Sequence, residues 1–474
     1  MSLLASLRTT AGALRAFEQA LETTQNNVAN ASTPGYARQR ADLVALPFSP
    51  VDGLPGGVAA RPPRSERDPY MEQNVRRQLE AEGRHAARAE LLAGIESAFD
   101  ISGETGIPGA LNRLFASFSA WAFAPNDSNA RQAVLDRARD LGQNFRDAAA
   151  LVEGVAEDSG LRLAQTVDQI NQLAADLADF NGRRRSGDRD DGGLEARMYT
   201  ALEQMSELVG VSVLQAGDGA LTVLAGGRVP LVVGGHVYPL ELAARTVKDP
   251  LYPNGAPHVA VLDSGGAEVT GKLDSGRLGG LLQVRNETVP NLLGDGSRQG
   301  ELNRLAQAVA QRVNALLAAG ETDAGTAPSM DLFLLDPDDP TAAASSLRLN
   351  EDLPAGELAA ADPGPPYGSN GTALKLAALN RPQAAEDMLD GVPYPVFFAG
   401  LASGLGRELE RARQDQDLAV QTTAQARSLR QTFSGVSLDQ EAITMTQIQR
   451  GYQAAAKIIS VLDEMTEVTV NLLR

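Results

Sequence analysis

The sequence contains no cysteine, so disulfides, thiolate zinc sites and cysteine nucleophiles are excluded. Its three histidines, His85, His236 and His258, stand far apart and have no metal-ligand spacing. Aromatic residues make up only 4% of the chain, which is low for an enzyme with a large aromatic pocket. Nucleophile-elbow, phosphate-loop and HExxH motifs are all missing. These absences predict no catalytic residue, no cofactor and no metal, and they favour a structural or interaction protein.

Long hydrophobic runs are also missing. None of the 474 residues belongs to a stretch that approaches the length of a transmembrane helix. Residues 1–22 carry Arg8, Arg15 and Glu18 within an amphipathic pattern, whereas a signal peptide has an uninterrupted apolar core. The sequence therefore predicts no membrane insertion, and a protein that is either cytoplasmic or exported without a cleaved signal peptide.

Positive charge is scarce, because the formal net charge is −18. This balance argues against nucleic acid and anionic membranes as partners, since both are bound through clustered Lys and Arg. Two short basic stretches, 61–67 (RPPRSER) and 183–185, are predicted to be solvated loops.

A heptad repeat is the first positive feature. Leu7, Leu14, Leu21 and Val28 recur every seven residues, which predicts a helix from about residue 3 to 30. The polar stretch that contains Asn26, Asn27 and Asn30 and then Pro34, Gly35 and Tyr36 predicts the end of this helix, because these are helix-end and turn residues.

The other end of the chain is patterned in the same way. Apolar residues alternate at spacings of three and four, which predicts a helix over 439–473; they include Ile448, Tyr452, Ile459 and Leu462. Since an isolated amphipathic helix is marginal in water, we expect the two terminal helices to pack together. Periodicity alone does not decide whether they do so within one chain or between chains.

The middle of the chain mixes both periodicities. A helix is predicted from 128 to about 152, and another follows a joint at Gly160. Alternating residues around a turn at 216–219 predict a β-hairpin. We therefore expect a mainly α protein with a β-rich insert (α+β), in three domains. They are a discontinuous coiled-coil assembly domain (1–45 with 437–474), a mostly helical body (46–209 with 281–436, loop-rich over 320–400) and an antiparallel β-domain (210–280).

Two terminal motifs carry a family resemblance. NNVANASTPGYARQR (26–40) resembles the N-terminal signature of the flagellar axial proteins, which are the rod, hook and hook-associated proteins. SGVSLDQEAITMTQIQRGYQAAAKIISVLDEMTEVTVNLL (434–473) resembles their C-terminal helix. The combination of TPGYARQR (33–40) with SGVSLDQE (434–441) resembles the hook-associated protein 1 family more than hook or rod proteins. PNDSNARQAVLDRARDLGQNF (125–145) and LGGLLQVRNETVPNLL (278–293) resemble segments of the same family.

The resemblance implies a structural adaptor and not an enzyme. Such a protein forms a ring of about eleven copies at the hook–filament junction, between hook protein and hook-associated protein 3. It is extracellular, passes unfolded through the flagellar export channel, and is bound by an export chaperone at its C-terminal helix. The alternatives are a hook or rod component, an extracellular hydrolase with flagellar-type termini, or a type III effector.

The expected mechanism is ordering of the terminal helices on assembly. The predicted assembly seam consists of Leu7, Leu14, Leu21, Ile448, Tyr452, Ile459 and Leu462. Asn26, Asn27 and Asn30 are predicted to fix the register between subunits, as buried asparagines do in coiled coils. Pro34, Gly35 and Tyr36 are predicted to form the joint between the terminal helix and the body.

Overall fold

The computed structural model describes residues 3–49, 54–99, 105–187, 191–217, 219–245, 251–252, 255–363 and 369–472. Long helices dominate it. The α-helices are α1 (Leu3–Ala29), α2 (Pro69–Glu96), α3 (Gly106–Phe123), α4 (Ser128–Ser186), α5 (Gly192–Leu208), α6 (Gly276–Gln283), α7 (Val289–Leu293), α8 (Glu301–Ala318), α9 (Ala343–Ser346), α10 (Gly371–Ala378), α11 (Tyr394–Ser434) and α12 (Leu438–Leu472).

The strands are short and all pair antiparallel. They are β1 (Gln39–Arg40), β2 (Leu43–Ala45), β3 (Phe48–Ser49), β4 (Leu54–Pro55), β5 (Val58–Ala60), β6 (Arg64–Ser65), β7 (Val211–Gln215), β8 (Leu221–Ala225), β9 (Val229–Val233), β10 (His236–Val237), β11 (Glu241–Arg245), β12 (His258–Leu262), β13 (Phe333–Leu334) and β14 (Arg348–Leu349). Strands β7–β10 form one four-stranded sheet, whereas β11 and β12 form a separate pair. The predicted α+β class, with its hairpin at 211–225, is confirmed.

The terminal helices agree closely with their predicted bounds. Helix α1 ends at Ala29 and α12 begins at Leu438, each within one residue of the prediction. Residues 473 and 474 lie outside the described residues. Heptad spacing of apolar residues is therefore sufficient to locate both helices.

The predicted joint at Gly160 is wrong. Helix α4 runs without interruption from Ser128 to Ser186. A glycine in a helix interior costs only about 1 kcal/mol relative to alanine, and the neighbouring Ser159 and Leu163 are both fully buried. Packing on both sides of Gly160 therefore outweighs its low helix propensity. The basic stretch 183–185, predicted to be a loop, forms the last turn of α4, where cations are favoured by the helix dipole.

Two compact units divide the chain. One contains Met1–Glu80, Asn171–Tyr238 and Ala419–Arg474, and the other contains Ala81–Ile170 and Pro239–Leu418. In the second unit, α3 is buried along the face that carries Leu111, Phe115, Phe118 and Trp121. These units cut the chain at other points than the three predicted domains, whose division stays a prediction.

Candidate assembly interface

Helices α1 and α12 pack against each other along their length within one chain. Small residues fill the centre of the contact, where Ala16, Ala20 and Ala455 are buried. The Phe17 ring lies on α12 at Gly451, because a Cβ added at Gly451 would stand 2.9 Å from two of its ring atoms. The hydroxyl of Tyr452 donates to Glu18 Oε1 at 3.2 Å. The predicted packing of the terminal helices is confirmed, and it occurs in antiparallel register.

The predicted seam residues are only partly covered in this pair. Leu14, Leu21, Ile448, Tyr452, Ile459 and Leu462 are all half-buried. Leu7 is 36% exposed. Part of each side chain therefore remains available to a neighbouring molecule, and the role of these residues between subunits stays a prediction.

Asn27 is the centre of a buried hydrogen-bond network. Its Nδ2 donates to the Gln39 carbonyl oxygen at 2.8 Å and to Glu441 Oε2 at 3.1 Å. Its Oδ1 accepts from the Tyr36 hydroxyl at 3.0 Å and from the Gln39 backbone N–H at 2.9 Å. These four bonds use both donors and both lone pairs of the amide. In this conformation Asn27 therefore holds α1, the following chain and α12 of one molecule together.

Asn26 and Asn30 have a different environment. Asn30 Nδ2 donates to Asn26 Oδ1 at 2.7 Å and to the Asn26 carbonyl oxygen at 3.0 Å. The Thr33 hydroxyl donates to Asn30 Oδ1 at 3.1 Å. These contacts are local and exposed, as in a helix end. Register fixing between subunits stays a prediction for both residues.

The joint after α1 depends on Gly35. Its φ of +72° lies in the left-handed region. A Cβ at this position would also stand 2.4 Å from Thr200 Oγ1 and 2.7 Å from the Ala196 carbonyl oxygen. Pro34 is exposed beside it, and Tyr36 is buried. The chain can therefore approach α5 this closely only with glycine at residue 35.

Burial also changes the acidity of Tyr36. Desolvation raises its pKa to about 12, and the negative charges of Glu195, Glu441 and Asp191 act in the same direction. The phenol is therefore kept as a hydrogen-bond donor to Asn27.

A buried cluster of charges anchors the joint, and sequence reasoning missed it. The Arg67 guanidinium donates to the Gly35 carbonyl oxygen at 2.5 Å and to Glu72 Oε1 at 2.5 Å. It also lies 3.9 Å from the centre of the Tyr199 ring. On its other oxygen, Glu72 accepts from Arg430 of α11 at 3.3 Å.

The prediction that 61–67 is a solvated loop is wrong for Arg67, whose side chain is only 5% exposed. Its partners lie on α2, α5 and the loop after α1, so no local pattern in the sequence identifies it. Arg430 extends the cluster by a second contact, to Glu203 of α5. Removal of one partner from a buried ion pair is strongly destabilising, because the other charge is left buried without compensation.

A second apolar stripe runs along α12. Its four members are between 46% and 58% exposed; they are Ile458, Val461, Met465 and Val468. Their spacing of three, four and three residues is that of a coiled-coil seam. We call this set the outer stripe, because it is distinct from the residues of α12 that pack on α1.

Within the described ranges, His, Asp, Cys and Glu side chains do not gather in any group of three that could hold a metal ion. His258 pairs instead with the buried Asp295, at 2.8 Å. None of the helices in the described part of the chain has the length and apolar character needed to cross a membrane.

The terminal elements match two families of flagellar proteins. Residues 7–36 match the family described as flagella basal body rod protein, and residues 430–472 match the flagellar basal body rod FlgEFG protein C-terminal family. Paired terminal helices with these signatures define the chain as an axial protein of the bacterial flagellum.

The central residues identify which family of flagellar proteins the chain belongs to. Residues 92–333, just over half of the chain, match the flagellar hook-associated protein FlgK helical domain. The chain belongs to the FlgK family of flagellar hook-associated structural proteins.

Individual relatives agree with this family. The flagellar hook-associated protein 1 of Bacillus subtilis (strain 168) is 26% identical over 509 aligned residues, which cover 98% of this chain and 97% of that protein. Its counterpart in Salmonella typhimurium (strain LT2) is 26% identical over 312 residues, covering 64% of this chain and 54% of that protein. The solved structure of the flagellar hook junction protein FlgK from Burkholderia pseudomallei has a TM-score of 0.65 at 16% identity, covering 76% of this chain and all of that one. The last comparison shows a shared fold.

Proposed function

We propose that this protein is a structural adaptor at the hook–filament junction of the bacterial flagellum, without enzymatic activity. Copies would form a closed ring, of about eleven by resemblance, between hook protein and hook-associated protein 3. The observation that carries the proposal is the terminal helix pair of a FlgK-family chain, which leaves the outer stripe of α12 exposed. Exposed apolar faces of this kind mark surfaces that bind other molecules.

The adaptor works by ordering its ends on assembly. Asn27 and Glu441 tie the pair together at the end of α1, whereas α12 is exposed throughout residues 463–469. Neighbouring copies would cover the half-buried seam residues Leu7, Leu14, Leu21, Ile448, Tyr452, Ile459 and Leu462. Assembly then follows from buried apolar area and mass action.

To reach the hook–filament junction, the protein must be exported from the cell. We propose that the chain leaves the cell through the flagellar export channel and that an export chaperone binds α12 before assembly. Support comes from the family, whose members are flagellar hook-associated proteins.

Immunolabelling of intact flagella tests the proposal. The expected result is one band at the hook end of each filament. Label along the whole hook or the whole filament would contradict a junction adaptor. In the same strain, deleting 445–474 should leave a folded body but abolish the band and motility. A motile deletion strain would exclude an essential role for α12.

A hook or rod component is the second candidate, because the terminal helices match rod-protein families. Hook and rod proteins would form long homopolymers, whereas a junction adaptor stops at a ring. Electron microscopy of the purified protein at high concentration separates the two.

A further inference from the structure

We propose that a cleft beside α11 receives the Phe123 side chain of a second copy of this chain. The inference rests on the proposed function, since it names surfaces through which neighbouring copies meet. The terminal helices take no part in this contact. Phe123 and the cleft both lie in the compact unit formed by Ala81–Ile170 and Pro239–Leu418.

The lining of the cleft is mainly apolar. It includes Ala402, Leu405 and Leu409 of α11, none of which is more than 6% exposed. Phe99 also lines it, and its ring is stacked on that of Phe398 with the ring centres 5.7 Å apart. The cleft has a volume of about 600 Å³, which is that of a ligand-sized site. Such a lining favours an aromatic or aliphatic group as the occupant.

Gly406 leaves room in the cleft. It lines the cleft without a side chain and is itself exposed. Beyond the adjacent helix backbone, no described atom lies within 4 Å of a Cβ added at this position. The described part of the chain therefore leaves space here for a side chain from another molecule.

Phe123 is an aromatic side chain without cover. It ends α3 and is 93% exposed, more than any other large hydrophobic side chain among the described residues. Trp121, two residues earlier, is fully buried. Since its ring lies in water, Phe123 does not occupy the cleft of its own chain. Aromatic side chains that fill a pocket on the partner are typical anchors of protein interfaces, so the ring suits the cleft of a neighbouring copy.

The unpaired charge at the cleft is positive. Glu96, which lines the cleft, is paired with Arg413 at 3.1 Å. Arg407 also lines the cleft, is exposed, and forms no ion pair with the described residues. The Arg407 guanidinium can therefore pair with a carboxylate that the occupant carries.

Asp127 supplies such a carboxylate close to Phe123. It is exposed, and no cation of the described ranges is paired with it. Its backbone N–H donates to the Ala124 carbonyl oxygen at 3.0 Å, which closes a turn directly after Phe123. Its Oδ1 accepts the Asn129 backbone N–H at 2.8 Å, which leaves Oδ2 available. A neighbour whose ring enters the cleft therefore also brings the charge that Arg407 lacks, and this second match favours a copy of the same chain.

The contact is heterologous. Each copy offers one ring and one cleft, so the same contact repeats from one copy to the next and can close into a ring. This repetition agrees with the proposed function and requires one kind of partner only.

Cysteine crosslinking tests the contact, since the natural chain contains no cysteine. Full-length protein with Asn126→Cys and Gly406→Cys is expressed in a strain that lacks its own copy of the gene, and isolated flagella are treated with a short bismaleimide. Asn126 is exposed beside Asp127, so the Phe123 ring is kept. Denaturing electrophoresis should show a ladder of dimers and larger species. Adding Phe123→Ala should reduce the ladder at least fivefold.

A matched pair controls for random crosslinking. Val396 lies on α11 and is 54% exposed, but it does not line the cleft. Asn126→Cys with Val396→Cys should therefore stay monomeric under the same treatment. A ladder of equal intensity from this pair would overturn the proposal, as would the absence of a ladder from the cleft pair in flagella that carry the protein.

Substitutions without crosslinker provide a second readout, the immunolabel at the hook end. Phe123→Ala, which removes the ring, and Gly406→Leu, which fills the cleft, should each reduce the label at least fivefold. Arg407→Glu should also reduce it, because the new carboxylate repels Asp127. Adding Asp127→Ser should then restore at least half of the loss, since serine removes the repulsion and still caps α4.

Each remaining outcome is decisive. Circular dichroism, urea unfolding and the secreted amount are measured for every variant. A folded, secreted Phe123→Ala or Gly406→Leu protein with normal label overturns the proposal. A Gly406→Leu monomer that is less stable than wild type also overturns it, because the cleft is then filled within one chain. A ladder from the cleft pair together with label along the whole hook would retain the contact but contradict the proposed function.

Discussion

Asn27 Nδ2 donates a hydrogen bond to Glu441 Oε2 at 3.1 Å, although 414 residues separate the two in the sequence. Both side chains are 1% exposed. The bond therefore links α1 to the first turn of α12 in a place from which water is excluded. Loss of the Asn27 amide would leave several buried polar groups unsatisfied.

Replacing Asn27 with leucine should lower the free energy of unfolding by about 2–3 kcal/mol, because a buried polar group without its partner costs that much. Urea unfolding of the purified protein measures the change. Asn26→Leu is the control, since Asn26 is exposed, and a surface change of this kind is usually within about 0.5 kcal/mol. Equal effects at the two positions would show that the Asn27 network is not special.

Replacing Gly451 with alanine should weaken the α1–α12 contact by about 1–3 kcal/mol, because the new methyl group meets the Phe17 ring. Exchange of the α12 amides around residue 451 should become faster, as read by hydrogen–deuterium exchange. Gly154→Ala is a matched control within another helix. No atom lies within 4 Å of its added Cβ, so helix propensity should stabilise the protein by up to about 1 kcal/mol. A stabilising Gly451→Ala would disprove the close contact.

Replacing Arg67 with methionine should destabilise the protein by about 3–5 kcal/mol, since Glu72 is left buried without one of its partners. Amides of residues 31–37 should lose protection at the same time, because the Gly35 carbonyl oxygen loses its donor. Arg77→Met on the exposed side of α2 is the control. Unchanged protection at 31–37 in a destabilised Arg67→Met protein would separate the charge cluster from the joint.

Measurements at alkaline pH should show that the Tyr36 hydroxyl stays protonated in the folded protein. Its folded pKa of about 12 lies above the usual value of 10, so the unfolded chain loses this proton first. The stabilisation is fully present below pH 10 and is lost as the pH rises toward 12. Tyr36→Phe should make the fall in unfolding free energy between pH 9 and 11 shallower, by an amount on the order of 1 kcal/mol. If the unfolding free energy fell equally steeply with pH in both proteins, the Tyr36 hydroxyl would be solvated in the folded state.

Hydrogen exchange on a verified monomer tests ordering on assembly. Protection should be strongest near Glu441 and Ala455, which are buried, and should fall to the level of a fraying helix beyond residue 458. Strong protection throughout 1–30 and 445–474 would show that the termini are already rigid before assembly.

The sequence predicted what depends on local pattern. Heptads located α1 and α12, and Pro34 with Gly35 located the end of the first helix. It could not separate Asn27 from Asn26, because burial of Asn27 depends on Gln39 and Glu441. Arg67 was missed for the same reason, since Glu72, Tyr199 and Arg430 meet it only in the folded chain.

At Gly160 a local pattern in the sequence gave a wrong prediction, because tertiary packing outweighs it. Its low helix propensity is a local signal, but burial of Leu163 and Ser159 decides the structure there. The two apolar stripes of α12 also show that a local pattern does not determine which residues are buried. Both are visible as apolar periodicity, yet only the fold shows that one packs on α1 and the other is exposed.

The long sequence separation of Asn27 and Glu441 also has a consequence in time. A ribosome that adds about 5–20 residues per second needs roughly 20 to 80 seconds to travel from one to the other. During that interval α1 has been made but its partner has not, so the first helix of the chain waits without the surface that stabilises it. Closure of the terminal pair is therefore a late event in the life of each molecule, and a truncated chain never reaches it.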